Sequence, residues 1–151
     1  MSSTKIFVVS GPSGSGKTTL VGKVLAHRSL KDLLKRSISF TTREKRTNEV
    51  DGLDYFFISK EDFEVLRKRK KILEWTTYLG YYYGTAKDYI EAQMGKSCGL
   101  MLCLDIKGAK QIKKIYSKQT VTIFVLPPSV EVLAERIKNR RKKTKESEVL
   151  Q

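Results

Sequence analysis

Apolar residues along the chain fall into short blocks separated by glycine, proline or charge, and the spacing inside each block predicts its element. Ile6-Phe-Val-Val9 is a continuous apolar run ending at Ser10-Gly11, the pattern of a strand buried on both faces in a parallel sheet. After a glycine-rich turn, Leu20, Val21, Val24 and Leu25 recur at helical spacing. They predict a helix from about Lys17 with these four facing inward. Gly99-Leu-Met-Leu-Cys-Leu-Asp105 and Thr120-Val-Thr-Ile-Phe-Val-Leu126 read as two further strands. Each precedes a helical pattern: Ala109, Ile112, Lys113 and Tyr116 after the first, Val130, Leu133, Ala134 and Ile137 after the second. Ser129, following two prolines, is a candidate N-cap for the latter. Strand and helix in alternation imply an open α/β sheet with right-handed crossovers.

The middle of the chain has another texture. Asp54-Tyr-Phe-Phe-Ile58 and Ile72-Leu-Glu-Trp-Thr-Thr-Tyr-Leu79 are β-like and aromatic, with Asp51-Gly52 and Gly80 as turns. Between them Ser59-Lys-Glu-Asp62 resembles a capping box opening a short helix with Phe63 and Leu66 inward. A small mostly-β insertion is therefore expected.

Composition narrows the class without adding chemistry. A chain of 151 residues, 40% hydrophobic and 30% charged, fits one soluble globular domain rather than a fibrous or disordered chain. Its longest apolar runs fall far short of the roughly 18 residues of a membrane span. The N-terminus lacks the serial regions of a signal peptide, so a cytoplasmic protein is expected. Cys98 and Cys103 lie in or beside an apolar run and read as reduced core thiols; His27 has no partner at ligand spacing and reads as a surface residue near a helix end.

The net charge of +14 points to a polyanion. Its two densest runs, Arg67-Lys-Arg-Lys-Lys71 and the stretch from Lys138 to Lys145, both continue helical segments. They read first as solvated helix ends, where cations complement the dipole. No nucleic-acid motif accompanies them, so nucleotide phosphates are a better partner than nucleic acid.

Chemistry enters at Gly11-Pro12-Ser13-Gly14-Ser15-Gly16-Lys17-Thr18, which satisfies G-x-x-x-x-G-K-[ST] between a strand and a helix. The glycines let successive backbone N–H groups turn toward phosphate oxygens, and the helix N-terminus adds its positive end. These eight residues are the expected ATP site. Lys17 would supply charge to the β- and γ-phosphates, and the Thr18 hydroxyl would ligate magnesium carried in with ATP. Asp105, ending an apolar strand, reads as a carboxylate on the magnesium shell, a contact to bound nucleotide, or a strand-end cap.

At Ser37-Ile-Ser-Phe-Thr-Thr-Arg43, then Arg46, Asp51-Gly-Leu-Asp-Tyr55, Glu74-Trp75 and Tyr82-Tyr-Gly-Thr85, the chain closely resembles the guanylate kinases. The resemblance implies transfer of the γ-phosphoryl group of ATP to GMP, giving ADP and GDP. It also implies a P-loop nucleoside-monophosphate-kinase fold: a parallel-sheet core at about 1–41 and 86–128, a GMP-binding insertion at about 42–85, and a helical lid beginning at about 129–151. On matched positions it assigns GMP to Ser39, Arg43, Arg46, Tyr55, Glu74, Tyr83, Thr85 and Asp105. Catalytic charge falls to Lys17, Arg46, Arg136 and Arg140, the last two matching lid arginines.

Two departures stand beside the match. Asp105-Ile-Lys107-Gly108 is two residues shorter than the family's usual stretch and lacks its second aspartate. The family also continues past the lid with a further arginine, a strand and helices that follow the last residue here. The alternatives are a non-catalytic guanylate-kinase-like module that binds a phosphorylated peptide, a truncated inactive kinase, and a P-loop kinase for another small phosphate. Intact Lys17 and Thr18 together with Glu74 favour the enzyme, since a phosphopeptide reader needs neither a triphosphate cradle nor a guanine carboxylate.

Overall fold

The computed structural model describes residues 4–96 and 98–149, with the side chains of 140–149 outside the description. The first apolar run forms β1 (Ile6–Ser10) at the middle of a parallel sheet, which is why it carries no polar alternation. Its neighbours are β7 (Gly99–Leu104) and β8 (Thr120–Phe124), both parallel to it, and β2 (Leu34–Arg36) lies outside β7. The order is β2-β7-β1-β8. All four strands point one way, so their C-terminal ends bring Ser10, Arg36 and Leu104 to one edge of the sheet.

Helices cover both faces. α4 (Ile106–Ile115) buries Ala109 and Ile112 against Ile6, Val8, Leu100 and Leu102, and Tyr116 packs against the same cluster. α1 (Lys17–Ala26) covers the other face, where Val21 joins Val9 and Met101, and Val24 and Leu25 pack at the margin. Leu20 departs from the sequence expectation and is 41% exposed. A helical side chain covers the turn N-terminal to its own Cα, and for Leu20 that turn is the mouth of the glycine-rich loop rather than a packed strand. His27 caps the C-terminus of α1 and is exposed.

The middle of the chain makes a second four-stranded sheet, ordered β4-β3-β6-β5. It starts at β3 (Ser39–Thr41), a few residues before the expected boundary, and continues through β4 (Phe56–Phe57), β5 (Ile72–Tyr78) and β6 (Tyr81–Ala86). α2 (Lys60–Lys68) opens with its expected cap: Ser59 Oγ accepts from the Asp62 N–H at 3.0 Å. Phe63 on α2 is fully buried, its ring 6.3 Å from Trp75 and 5.3 Å from Tyr82. Burial of one such ring contributes roughly 1.5–3 kcal/mol. α3 (Lys87–Gln93) leads back to β7 and inserts Ile90 into the main core.

α5 (Val130–Val149) is a single helix of 20 residues, and Ser129 Oγ accepts from the Val132 N–H at 3.2 Å as an N-cap does. Its apolar positions split. Leu133 and Ile137 are half-buried toward the glycine-rich loop, while Val130 is exposed, against the sequence expectation. The helix leans on one loop, so a narrow stripe suffices. No helix among the described residues is long and apolar enough to cross a membrane.

Candidate functional site

The loop of residues 11–18 joins β1 to α1 at the C-terminal edge of the parallel sheet. Gly11, Gly14 and Gly16 all hold positive φ, and a Cβ on Gly11 would stand 2.6 Å from the Val125 carbonyl oxygen, a backbone atom with no room to yield. Lys17 Nζ donates to the carbonyls of Gly11 at 2.7 Å and Pro12 at 2.9 Å, tying the loop into a ring. Ser15 Oγ is buried and makes no hydrogen bond among the described residues. Ser13 and Thr18 are exposed. From α5, Arg136 Nη1 donates to the Gly14 carbonyl at 3.3 Å, so one of the two expected lid arginines touches this loop. The side chain of Arg140 lies outside the described residues.

The second sheet carries the other half. β3 and β6 are antiparallel and set Ser39 opposite Thr85 and Thr41 opposite Tyr83, so residues more than forty positions apart share a face. Glu74 comes from β5 through an irregularity. Ile72 pairs with Ala86 but Trp75 pairs with Gly84, so one extra residue is accommodated between them. A bulge of this kind re-aims side chains. It turns the consecutive residues Leu73 and Glu74 both inward, at 9% and 8% exposure. Thr85 Oγ1 then donates to Glu74 Oε1.

Burial raises the Glu74 carboxyl above its ordinary value, the Thr85 hydroxyl partly offsets this, and the negative charge of Asp105 pushes it up further. Asp105 is the N-cap of α4, its Oδ1 accepting from the Gly108 N–H at 2.7 Å. Asp105 thus closes β7 directly into a helix, with its carboxylate felt at Glu74.

Arg43, Tyr55 and Tyr83 also converge. The Tyr55 and Tyr83 rings lie 5.9 Å apart edge to face, and the Arg43 guanidinium stands 5.7 Å from the Tyr55 ring centre. Arg43 donates to both carboxylate oxygens of Glu49, at 2.9 and 2.6 Å. Tyr83 lies near enough to favour the charge on Arg43 as well, after Glu49. Arg46 gives its backbone N–H to Glu49 at 2.9 Å and keeps an exposed side chain, so it shares the loop but not the guanidinium cluster.

Sequence reasoning missed Glu49 and Arg36. Glu49 occupies the fork of Arg43, and only its spacing of six residues hinted at a pair. Arg36 ends β2, and its positive charge reaches both Tyr55 and Cys103, while Lys17 also acts on Cys103. Arg36 ends its strand at the same C-terminal edge of the parallel sheet as Ser10, an arrangement that only the strand order reveals.

A phosphate cradle at the edge of a parallel sheet, joined to a second sheet with a buried carboxylate and a guanidinium–phenol cluster, defines a P-loop nucleoside-monophosphate-kinase fold. The family model described as guanylate kinase matches residues 3–151, and the chain belongs to that family. A guanylate kinase of Mycoplasma genitalium is 46% identical over 136 residues, covering 90% of this chain and 56% of the relative. One of Mycoplasma mobile is 42% identical over 147 residues, covering 94% and 72%. The crystal structure of guanylate kinase from Anaplasma phagocytophilum superposes with a TM-score of 0.73 at 32% identity, over 89% of this chain and 66% of that one. The chain thus spans between about half and three quarters of the length of these relatives.

Proposed function

We propose that the chain transfers the γ-phosphoryl group of ATP to GMP. The observation that carries this reading is the buried Glu74 carboxylate on Thr85, in a chain whose first loop is a complete phosphate cradle. Guanine presents N1–H and N2–H donors side by side, and a carboxylate accepts both. Adenine has an unprotonated nitrogen at that place, and facing lone pairs leave buried polar groups unpaired at about 1–3 kcal/mol. The Ser39 hydroxyl suits the neighbouring carbonyl, the Thr85 hydroxyl gives its one proton to Glu74 and so orients the carboxylate toward the base, and Asp105 borders the base. The GMP phosphate falls to Arg43, Arg46, Tyr55 and Tyr83. Arg43 would exchange Glu49 for it, because a guanidinium fork fits carboxylate and phosphate alike.

An oxygen of the GMP phosphate forms the new bond to the γ-phosphorus, and the bond to the β-bridging oxygen breaks, its electron pair leaving with ADP. The attacking oxygen is already anionic, so no general base is required. The protein's part is position and charge: Lys17 on the ATP phosphates, Arg46 and the lid arginines Arg136 and Arg140 around the moving group. The donor set suits magnesium. Among the described residues no cluster of three His, Cys, Asp or Glu is present, and magnesium on a triphosphate asks for only one or two protein ligands beside water. Thr18 would hold it, and the ion would supply neutralisation across the β- and γ-phosphates. A cytoplasmic location is part of this proposal, since ATP and GMP are both available there.

The direct test is ADP production with magnesium and ATP, with GMP run beside AMP and UMP. Turnover with GMP alone is expected. Equal turnover with AMP, or none with GMP together with no GMP binding, overturns the reading.

Acidity supplies a second test. Glu74 must be ionised to accept from guanine, and its carboxyl is raised by burial. GMP affinity is therefore expected to fall as pH drops, with a midpoint above the ordinary glutamate range, and Glu74→Gln should lack this limb in calorimetric titrations. Stability runs the other way. The native chain keeps the Glu74 proton to higher pH than the unfolded chain, so this group's contribution declines as pH rises through that interval.

A further inference from the structure

Gly108 stands in the first turn of α4, is buried, and is not among the positive-φ glycines. Its backbone asks nothing that alanine could not provide, and alanine is the better helix former. The reason for a glycine lies in front of it. A Cβ at position 108 would stand 2.5 Å from Glu74 Oε2 and 3.0 Å from Glu74 Cδ, too near for either atom to stay where it is. What would yield is not the backbone but the far end of a flexible side chain, and that end is the carboxylate. It is otherwise fixed by Thr85 on Oε1 and by the bulge that aims Glu74 inward.

We infer that Gly108 is a positioning residue for guanine specificity: its missing side chain is the space in which the Glu74 carboxylate is held, and any larger residue displaces that carboxylate while leaving the helix intact. The inference rests on the reading of Glu74 as the guanine acceptor. Asp105 secures the arrangement by capping the Gly108 N–H, which fixes the first turn of α4 against β5.

The test is a cycle of Gly108→Ala and Glu74→Asp, read by titration with GMP and with ATP, by thermal melting, and by carbon NMR of the Glu74 carboxyl. Gly108→Ala is expected to weaken GMP at least tenfold, to leave ATP affinity within twofold, and not to lower the melting temperature. In the Glu74→Asp background the carboxylate is one methylene shorter and clears position 108, so adding Gly108→Ala should change GMP affinity less than twofold. Equal losses in both backgrounds, or none in the first, overturn the inference. The NMR arm is independent of GMP: displacement should bring the Glu74 titration toward the ordinary glutamate range, and an unchanged titration overturns the inference. Absence of GMP binding by the parent chain removes the guanine reading instead, and the carboxyl titration then decides the role of Gly108 on its own.

Discussion

Replacing Lys17 by methionine is expected to lower ATP-to-GMP phosphoryl transfer by about 10²–10³-fold or more, the usual scale for removing one preorganised charge donor from a site where charge moves. Methionine keeps the apolar stem and removes only the ammonium group. In the structure that ammonium ties the carbonyls of Gly11 and Pro12 together. Its loss therefore loosens the loop as well as removing charge from the β- and γ-phosphates, and both ATP affinity and turnover should fall. GMP affinity should not, because the proposed guanine pocket is built on the other sheet around β5 and β6. Steady-state ADP production with a parallel GMP titration separates the two. Turnover within about threefold of the parent would remove Lys17 from the chemistry.

Glu74→Gln is expected to weaken GMP by at least 10- to 100-fold with ATP affinity unchanged. A hydrogen bond to a charged group contributes about 1.5–3 kcal/mol, and each 1.4 kcal/mol is about tenfold. The amide also turns one acceptor into a donor facing the donors of guanine, so the loss exceeds that of a single bond. Stability should move in the opposite direction. Glu74 is buried and its carboxyl is raised by that burial, so its ionised form is costly at neutral pH and the neutral amide avoids the cost. A variant that melts no lower than its parent yet loses GMP would show a group kept for binding. Unchanged GMP affinity, measured by calorimetry, would sink the assignment of Glu74.

Much of the framework was legible from short-range chemistry. β1 reads as a buried parallel strand because nothing polar interrupts residues 6–9, and the glycine-rich loop reads as a phosphate cradle because its glycines, lysine and threonine stand within eight positions of one another. The caps at Ser59 and Ser129 were readable for the same reason: the accepting hydroxyl and the donating N–H lie three residues apart. Leu20 and Val130 show the limit. Both fit a helical apolar stripe, yet both are exposed, since periodicity tells which residues share a face but not whether anything covers it.

The proposed base pocket depended on tertiary structure throughout. Strand alternation places Leu73 and Glu74 on opposite faces, and only the bulge opposite β6 buries both. Ser39 meets Thr85 through the β3–β6 register, Arg43 takes Glu49 across a loop, and Gly108 faces Glu74 from a different element altogether. By itself the sequence determined the phosphate cradle and the strands and helices of the core, because these follow from hydrogen-bond geometry and periodicity within a few residues. Tertiary structure alone decided where the Glu74 carboxylate points and how much room it has, because that depends on a one-residue irregularity in strand pairing and on the single absent methyl group of a glycine 34 positions further along the chain.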